Sequence, residues 1–122
     1  MEKQVYITEE EREKCRKVVD AFAELYEMAG IVVADVGRYG FVMLKYYMPP
    51  HGFEEDVTFT DSRALFDALW QEWHNTMLYL MAKETPLMEE GYDGVFESLS
   101  REKQSKLIGK KADFALKARI CL

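Results

Sequence analysis

Apolar residues early in the chain keep a helical period: Cys15, Val18, Val19, Phe22, Leu25, Tyr26 and Ala29 form one stripe. The polar run before it, Thr8-Glu9-Glu10-Glu11, has the form of a capping box. In that motif the Thr8 hydroxyl accepts the exposed amide three residues on, and the Glu11 side chain reaches back. Three glutamates in the first turn also suit the positive end of the helix dipole. Gly30 offers a C-terminal stop. The pattern therefore predicts one helix over residues 9–29, preceded by a short extended arm over residues 1–7.

The pattern then changes. Residues 31–36 and 41–48 are apolar at nearly every position. A strand with one solvated face alternates apolar and polar side chains, because successive side chains point to opposite faces. These strands do not alternate, so both faces of the small sheet call for cover. Gly37-Arg38-Tyr39-Gly40 reads as the hairpin turn, its glycines tolerating positive φ. Pairing Val36 with Phe41 would set Ala34 against Met43 and Val32 against Lys45. Pro49-Pro50 ends the second strand, His51-Gly52-Phe53 is loop, and the alternating residues 56–60 supply a third strand.

Thr60, Asp61 and Ser62 are consecutive N-cap candidates for a second long helix. Its stripe is Leu65, Phe66, Leu69, Trp70, Trp73, Met77, Leu80 and Met81. Thr85-Pro86 opens a turn, and Gly91 and Gly94 bracket a flexible stretch around Tyr92. Val95, Phe96 and Leu99 suggest one helical turn, and Ser100 caps a last helix whose apolar side is Leu107, Ile108, Phe114, Ala115 and Ala118. The predicted fold is a single α+β domain over residues 1–122. A three-stranded antiparallel β-meander packs with an N-terminal helix and two to three C-terminal helices.

Composition narrows the function classes. With 48% hydrophobic and 13% aromatic residues, 122 residues can build a core without disulfides or metals. No window approaches the roughly 20 apolar residues of a membrane span, and the first residues lack the basic-then-apolar order of a signal peptide, which leads us to expect a cytoplasmic protein. Cys15 and Cys121 are isolated thiols, expected to be reduced. The net charge of −6 is unevenly spread, for residues 101–122 carry seven bases against two acids. The plainest expectation is that this basic helix lies against the acidic body or a neighbouring subunit.

Catalytic and metal signatures are absent. The two histidines, His51 and His74, stand in no zinc-ligand spacing, and no C-x-x-C occurs. Asp67 or Trp70 can share a helix face with His74. There is no nucleophile elbow, and Cys15 lies within an apolar stripe, where a thiol behaves as a small hydrophobe. The acids Glu54-Glu55-Asp56 and Glu89-Glu90 fit no calcium loop. Gly37-x-x-Gly40 joins two strands and is a turn, with no phosphate-loop context. No cofactor is expected and the chain reads as a non-enzyme.

The segment from Gly37-Arg38-Tyr39-Gly40-Phe41 through Lys45-Tyr46-Tyr47, then Phe59-Thr60-Asp61-Ser62-Arg63 and Leu69-Trp70-Gln71-Glu72-Trp73, resembles small proteins of Gram-positive gut anaerobes. Those proteins have no known activity and are sometimes encoded within mobile elements. The resemblance extends over most of the chain, including Thr85-Pro86 and the basic last helix. It implies a cytoplasmic accessory protein tied to such an element, and carries over no catalytic residue.

The residues themselves point to a non-enzymatic accessory or protein-interaction module. Its partner would be another protein or a second copy, contacted through Arg38, Tyr39, Phe41, Tyr47 and Phe59, because aromatic residues and Arg are enriched in interface cores. An edge of the meander can also pair with a partner strand. The alternative is a nucleic-acid accessory protein using Arg101, Lys103, Lys106, Lys110, Lys111 and Lys117 against phosphates. In helical projection these bases spread over much of the solvent face.

Overall fold

Thr8 caps the first helix as expected. Its hydroxyl accepts the Glu11 amide at 3.1 Å and caps α1 (Glu9–Ala21). The second half of the capping box does not form. The Glu11 carboxylate instead accepts from the backbone N–H and the hydroxyl of Ser62, both at 3.3 Å, at the start of α3 (Ser62–Ala82). One glutamate thus satisfies an orphan amide on a different helix and ties two elements 51 residues apart. The computed structural model describes residues 6–47, 52–82, 89 and 91–121, with the side chains of 45–47 and 52–56 outside that description. Residues 1–5 of the expected arm, the Pro49-Pro50 stop, the loop at His51, the Thr85-Pro86 turn, Glu90, and the Glu54-Glu55-Asp56 and Tyr47 side chains lie outside it as well.

The first apolar stripe forms two helices, where one was expected. After α1, Phe22 leaves helical geometry (φ −100°, ψ 24°) and α2 runs over Ala23–Met28. The Val19 carbonyl explains the break, because it accepts from the Tyr26 hydroxyl at 3.0 Å and from the Phe22 N–H at 3.3 Å. An unbroken helix would offer that carbonyl to Ala23. Gly30 is not left-handed; Ala29 closes α2 in extended geometry.

The sheet is a meander in the order β1 (Ile31–Asp35), β2 (Phe41–Tyr47), β3 (Gly52–Phe59), antiparallel throughout. β3 therefore starts four residues earlier than expected. The hairpin register also differs by one residue: Asp35 faces Phe41, Ala34 faces Val42, Val33 faces Met43 and Val32 faces Leu44. The turn causes this. Gly37–Tyr39 forms a 3-10 turn, and the Val36 N–H donates to the Gly40 carbonyl at 2.9 Å, so Val36 pairs with Gly40 and not with Phe41.

Because side chains alternate, a one-residue slip exchanges the faces of one strand against the next. Ile31 and Val33 thus join Phe41, Met43 and Phe59 on the inner face, where Ile31, Phe41 and Met43 are buried. Val32, Ala34, Val42 and Leu44 share the outer face, with Val32 48% exposed and the other three half-buried.

Asp61 proves to be the cap of α3, its carboxylate accepting from the Arg63 and Ala64 amides at 2.8 and 3.3 Å. The stripe of α3 buries Leu65, Phe66, Leu69 and Trp73, then turns to Leu78 and Ala82, leaving Leu80 and Met81 exposed. α4 (Gly91–Ser98) occupies the stretch expected to be flexible and runs through Gly94. Ser100 caps α5 (Arg101–Ala118), accepting the Lys103 amide at 3.3 Å. Arg119 is left-handed (φ 57°) and the Ile120 N–H returns to the Ala115 carbonyl at 2.8 Å, a Schellman-type stop.

The core lies where α1, α3 and α5 meet. Phe114 of α5 stacks on Phe22 at 4.4 Å between centroids and meets Trp73 edge-on at 5.2 Å; Phe22 also meets Phe66 at 5.5 Å. Such aromatic pairs add to plain area burial. Ile108, expected on the apolar side of α5, is exposed. The architecture is α+β, with helices covering the inner face of the sheet. No helix among the described residues is long and apolar enough to cross a membrane.

Candidate functional site

The β1 edge carries the most unusual chemistry in the fold. In an antiparallel pair, directly opposed residues alternate between exchanging both backbone hydrogen bonds and exchanging none. The Val36–Gly40 bond fixes the phase, so Ala34 and Val32 bond to β2 while Ile31, Val33 and Asp35 turn their backbone groups outward. Consistent with this, the Ile31 N–H donates away from β2, to the Ala29 carbonyl at 2.8 Å. The outward N–H and C=O groups of Val33 and Asp35 have no hydrogen-bond partner among the described residues.

That edge opens onto a groove of about 510 Å³, walled by Val19, Asp20, Ala23 and Tyr26 and by the strand itself at Ile31–Val33. The wall is apolar at Val19 and Ala23 and acidic at Asp20. Glu24 and Glu27 are exposed on the same helical segment, and neither they nor Asp20 form an ion pair with a described residue. Burial, with help from Asp20, raises the Tyr26 hydroxyl well above the usual phenol range, so it remains a neutral donor.

At the Asp35 end of the strand lies the hairpin tip. Arg38 lies over the Tyr6 and Tyr39 rings at 5.0 and 5.3 Å, and the two rings are 5.7 Å apart. The Ile7 N–H donates to the Arg38 carbonyl at 2.8 Å, which brings the N-terminal segment to the tip. Tyr6 is 45% and Tyr39 42% exposed.

The expected contact residues are thus only partly brought together. Arg38 and Tyr39 share an exposed cluster. Phe41 is buried in the core and Phe59 packs against it, so neither is presented to a partner; they oppose each other across β2 and β3 on the inner face. The Tyr47 side chain lies outside the described residues. Tyr6 escaped sequence reasoning because nothing in its own neighbourhood signals a contact with the hairpin. Tyr39→Ala is expected to change folding stability by no more than about 1 kcal/mol in urea unfolding; a larger loss would make Tyr39 a core residue.

Asp35 anchors the tip to α1. Its carboxylate accepts from the Gly37 amide at 2.9 Å and pairs with Arg12 at 2.6 Å and Arg16 at 3.7 Å. The Gly37 hydrogen bond, followed by the two arginines, lowers its pKa below the ordinary 3.8. A carboxyl whose pKa is depressed by folding adds stability above its unfolded pKa and loses it as pH falls through the folded value. Asp35→Asn should therefore flatten the acid side of the stability–pH curve below about pH 4, as measured by thermal unfolding from pH 2 to 6. An unchanged acid slope would show that Asp35 does not contribute.

Other candidates resolve differently. Cys15 is fully buried and its thiol is pushed up to about 11, chiefly by burial, which makes it a poor nucleophile. Cys121 is exposed, and both are free thiols. Asp67 does not approach His74 but pairs with Arg63 at 3.2 Å. His74 stacks on Trp70 at 5.4 Å between centroids and meets Phe96 edge-on at 5.3 Å. Among the described residues no three of His, Cys, Asp or Glu gather as a metal site.

Among the described residues, ion pairs do not dock the basic helix. Lys106 pairs within α5, with Glu102 at 3.4 Å, and no ion pair among the described residues joins α5 to the acidic body. The helix is held by Leu107, Phe114, Ala115 and Ala118. At about 100° per residue, Lys103, Lys106, Lys110 and Lys117 fall within roughly a 60° arc, a concentration the expected even spread did not anticipate. The ammonium groups of Lys110 and Lys117 lie 6.0 and 5.9 Å from the Phe114 ring. Arg101 and Lys111 lie off this flank.

Comparison with known proteins adds no relative: no family model, no curated protein and no solved structure matches the chain.

Proposed function

We propose that the protein is a non-enzymatic interaction module that binds an extended segment of a partner protein by adding it as a strand at the β1 edge. The observation that carries this reading is the outward-facing, unpartnered backbone of Val33 and Asp35, with a groove of about 510 Å³ beside Ile31–Val33. Strand addition draws affinity from main-chain hydrogen bonds and specificity from pockets for alternate side chains. Here Ala23 and Tyr26 would receive the inward side chains.

An extended segment suits this edge better than a second copy. Two copies paired edge to edge about a twofold axis at Val33 would each bring α1 and α2 to the same place. Asp20, Glu24 and Glu27 would then face their own equivalents, and like charges in juxtaposition oppose association. A single strand without a helical layer meets no such wall. The same acids favour a segment carrying lysine or arginine.

Two five-residue probes test the reading, acetyl-Val-Lys-Val-Lys-Val-amide and its glutamate counterpart, titrated while the backbone NMR signals of β1 are followed. The lysine probe is expected to shift Ile31, Val33 and Asp35, and the glutamate probe to bind at least several-fold more weakly. Asp20→Lys should narrow or reverse that preference. Equal binding of the two probes, or none, would contradict the proposal, as would a stable dimer in light scattering whose interface protects Val33.

The lysine flank of α5 favours a second reading, binding to a nucleic-acid backbone. Four phosphate contacts would give a log affinity against log salt slope of about −3.6 on duplex DNA. A fluorescence titration showing no binding at low salt would remove it.

A further inference from the structure

The groove between α3, α4 and α5 belongs to neither of these surfaces. We propose that it is a small-molecule site for a planar aromatic anion that carries a hydrogen-bond donor at the end opposite its negative charge. The groove holds about 380 Å³, within the usual range for ligand clefts.

Three features define the occupant. First, the floor is a shelf of rings: Trp70 and His74 lie nearly parallel, with 26° between their planes, and Phe96 stands edge-on against His74. Trp70 also stacks on Trp73 at 5.3 Å, and a groove lined by rings favours a flat aromatic partner, because stacked or edge-on ring contacts add to area burial. Burial holds His74 below its ordinary value despite the nearby Asp93 carboxylate, so the shelf is uncharged at neutral pH.

Second, the shelf is polarised. The Lys111 ammonium lies 6.0 Å from the Trp70 ring, and the Asp93 carboxylate, which also lines the groove, acts on His74. Lys111 is half-buried, and neither it nor Asp93 has an ion-pair partner among the described residues. A cation so placed calls for an anion, and charge-assisted hydrogen bonds are the stronger kind.

Third, the side wall is pre-ordered. Gln71 donates to the Asn75 carbonyl at 2.9 Å, which fixes both amides. The Gln71 carbonyl and the Asn75 amine remain available toward a ligand edge. Apolar rings, one cation, one anion and two amides converge in a single cleft, of which sequence spacing paired only Trp70 with His74.

The test uses 4-aminobenzoate, with 4-aminobenzamide and benzoate as partners that each lack one end group. The Trp70 indole N–H and the His74 ring protons are followed by NMR on the full chain. The expected result is saturable movement of both signals with 4-aminobenzoate, and binding at least about tenfold weaker for the uncharged amide. Lys111→Gln should erase the difference between acid and amide, while Asp93→Asn should erase the difference between 4-aminobenzoate and benzoate. Both positions lie on helical surfaces, so these variants are expected to unfold at the wild-type temperature, which a thermal scan checks. No saturable shift by about 10 mM, or equal binding of all three compounds, would overturn the proposal.

Discussion

Phe114→Ala is expected to remove about 3–5 kcal/mol of folding stability. Phe114 is almost fully buried, and its ring is shared by Phe22 at 4.4 Å, Trp73 at 5.2 Å and Trp70 at 6.4 Å. Truncation removes the transfer energy of the ring and leaves a cavity between three rigid aromatic neighbours that cannot collapse into it. A domain of this size holds about 5–15 kcal/mol in all, so the variant stands near the limit of folding. Phe114→Leu keeps most of the volume and should lose about 1–2 kcal/mol, which stays measurable in urea. A loss under about 1 kcal/mol for the alanine variant would mean that the junction of α1, α3 and α5 is not the core.

The second large effect belongs to the hairpin. Gly40 has φ 101°, and a Cβ there would run into the carbonyl oxygen of Phe59 on β3. Gly40→Ala therefore combines a left-handed backbone penalty with a clash against another strand's main chain, and should cost about 3 kcal/mol. Gly37 provides the control. It is also left-handed, at φ 68°, but a Cβ there meets nothing within 4 Å, so Gly37→Ala should cost only about 1 kcal/mol. Equal losses in urea unfolding would show that β3 does not pass close to the turn.

These two sites mark what the sequence discloses and what it hides. Helix starts are local, and Thr8, Ser100 and the run Thr60-Asp61-Ser62 announce three of them. The α+β order is legible for the same reason, since each element's period lies within its own residues. The hairpin register is not local in that sense. It depends on whether the turn closes at Val36–Gly40 or at Val36–Phe41, and glycines at both ends of the turn permit either. That single choice decides which β1 residues share a face with Phe41: Ile31 and Val33 stand there in place of Val32 and Ala34.

The kink at Phe22 was hidden likewise. The Tyr26 hydroxyl looks like part of an apolar stripe until its bond to Val19 is seen. The aromatic groove draws on three helices, Trp70 and His74 from one, Asp93 and Phe96 from the second and Lys111 from the third. Only their packing brings the groups together. Conversely, the lysine flank of α5 was present in the spacing from Lys103 to Lys117 and needed only the helix bounds to be drawn.

Strand addition requires an open β1 edge. Amide hydrogen exchange on the free protein, followed by NMR, addresses it directly. Ala34 and Val32, bonded to β2, should exchange slowly, while Val33 and Asp35 between and beside them should exchange far faster. Addition of acetyl-Val-Lys-Val-Lys-Val-amide should slow Val33 and Asp35 and leave Ala34 unchanged. If Val33 is already as protected as Ala34 in the free protein, or stays fast when the probe is present, the β1 edge is not a docking strand.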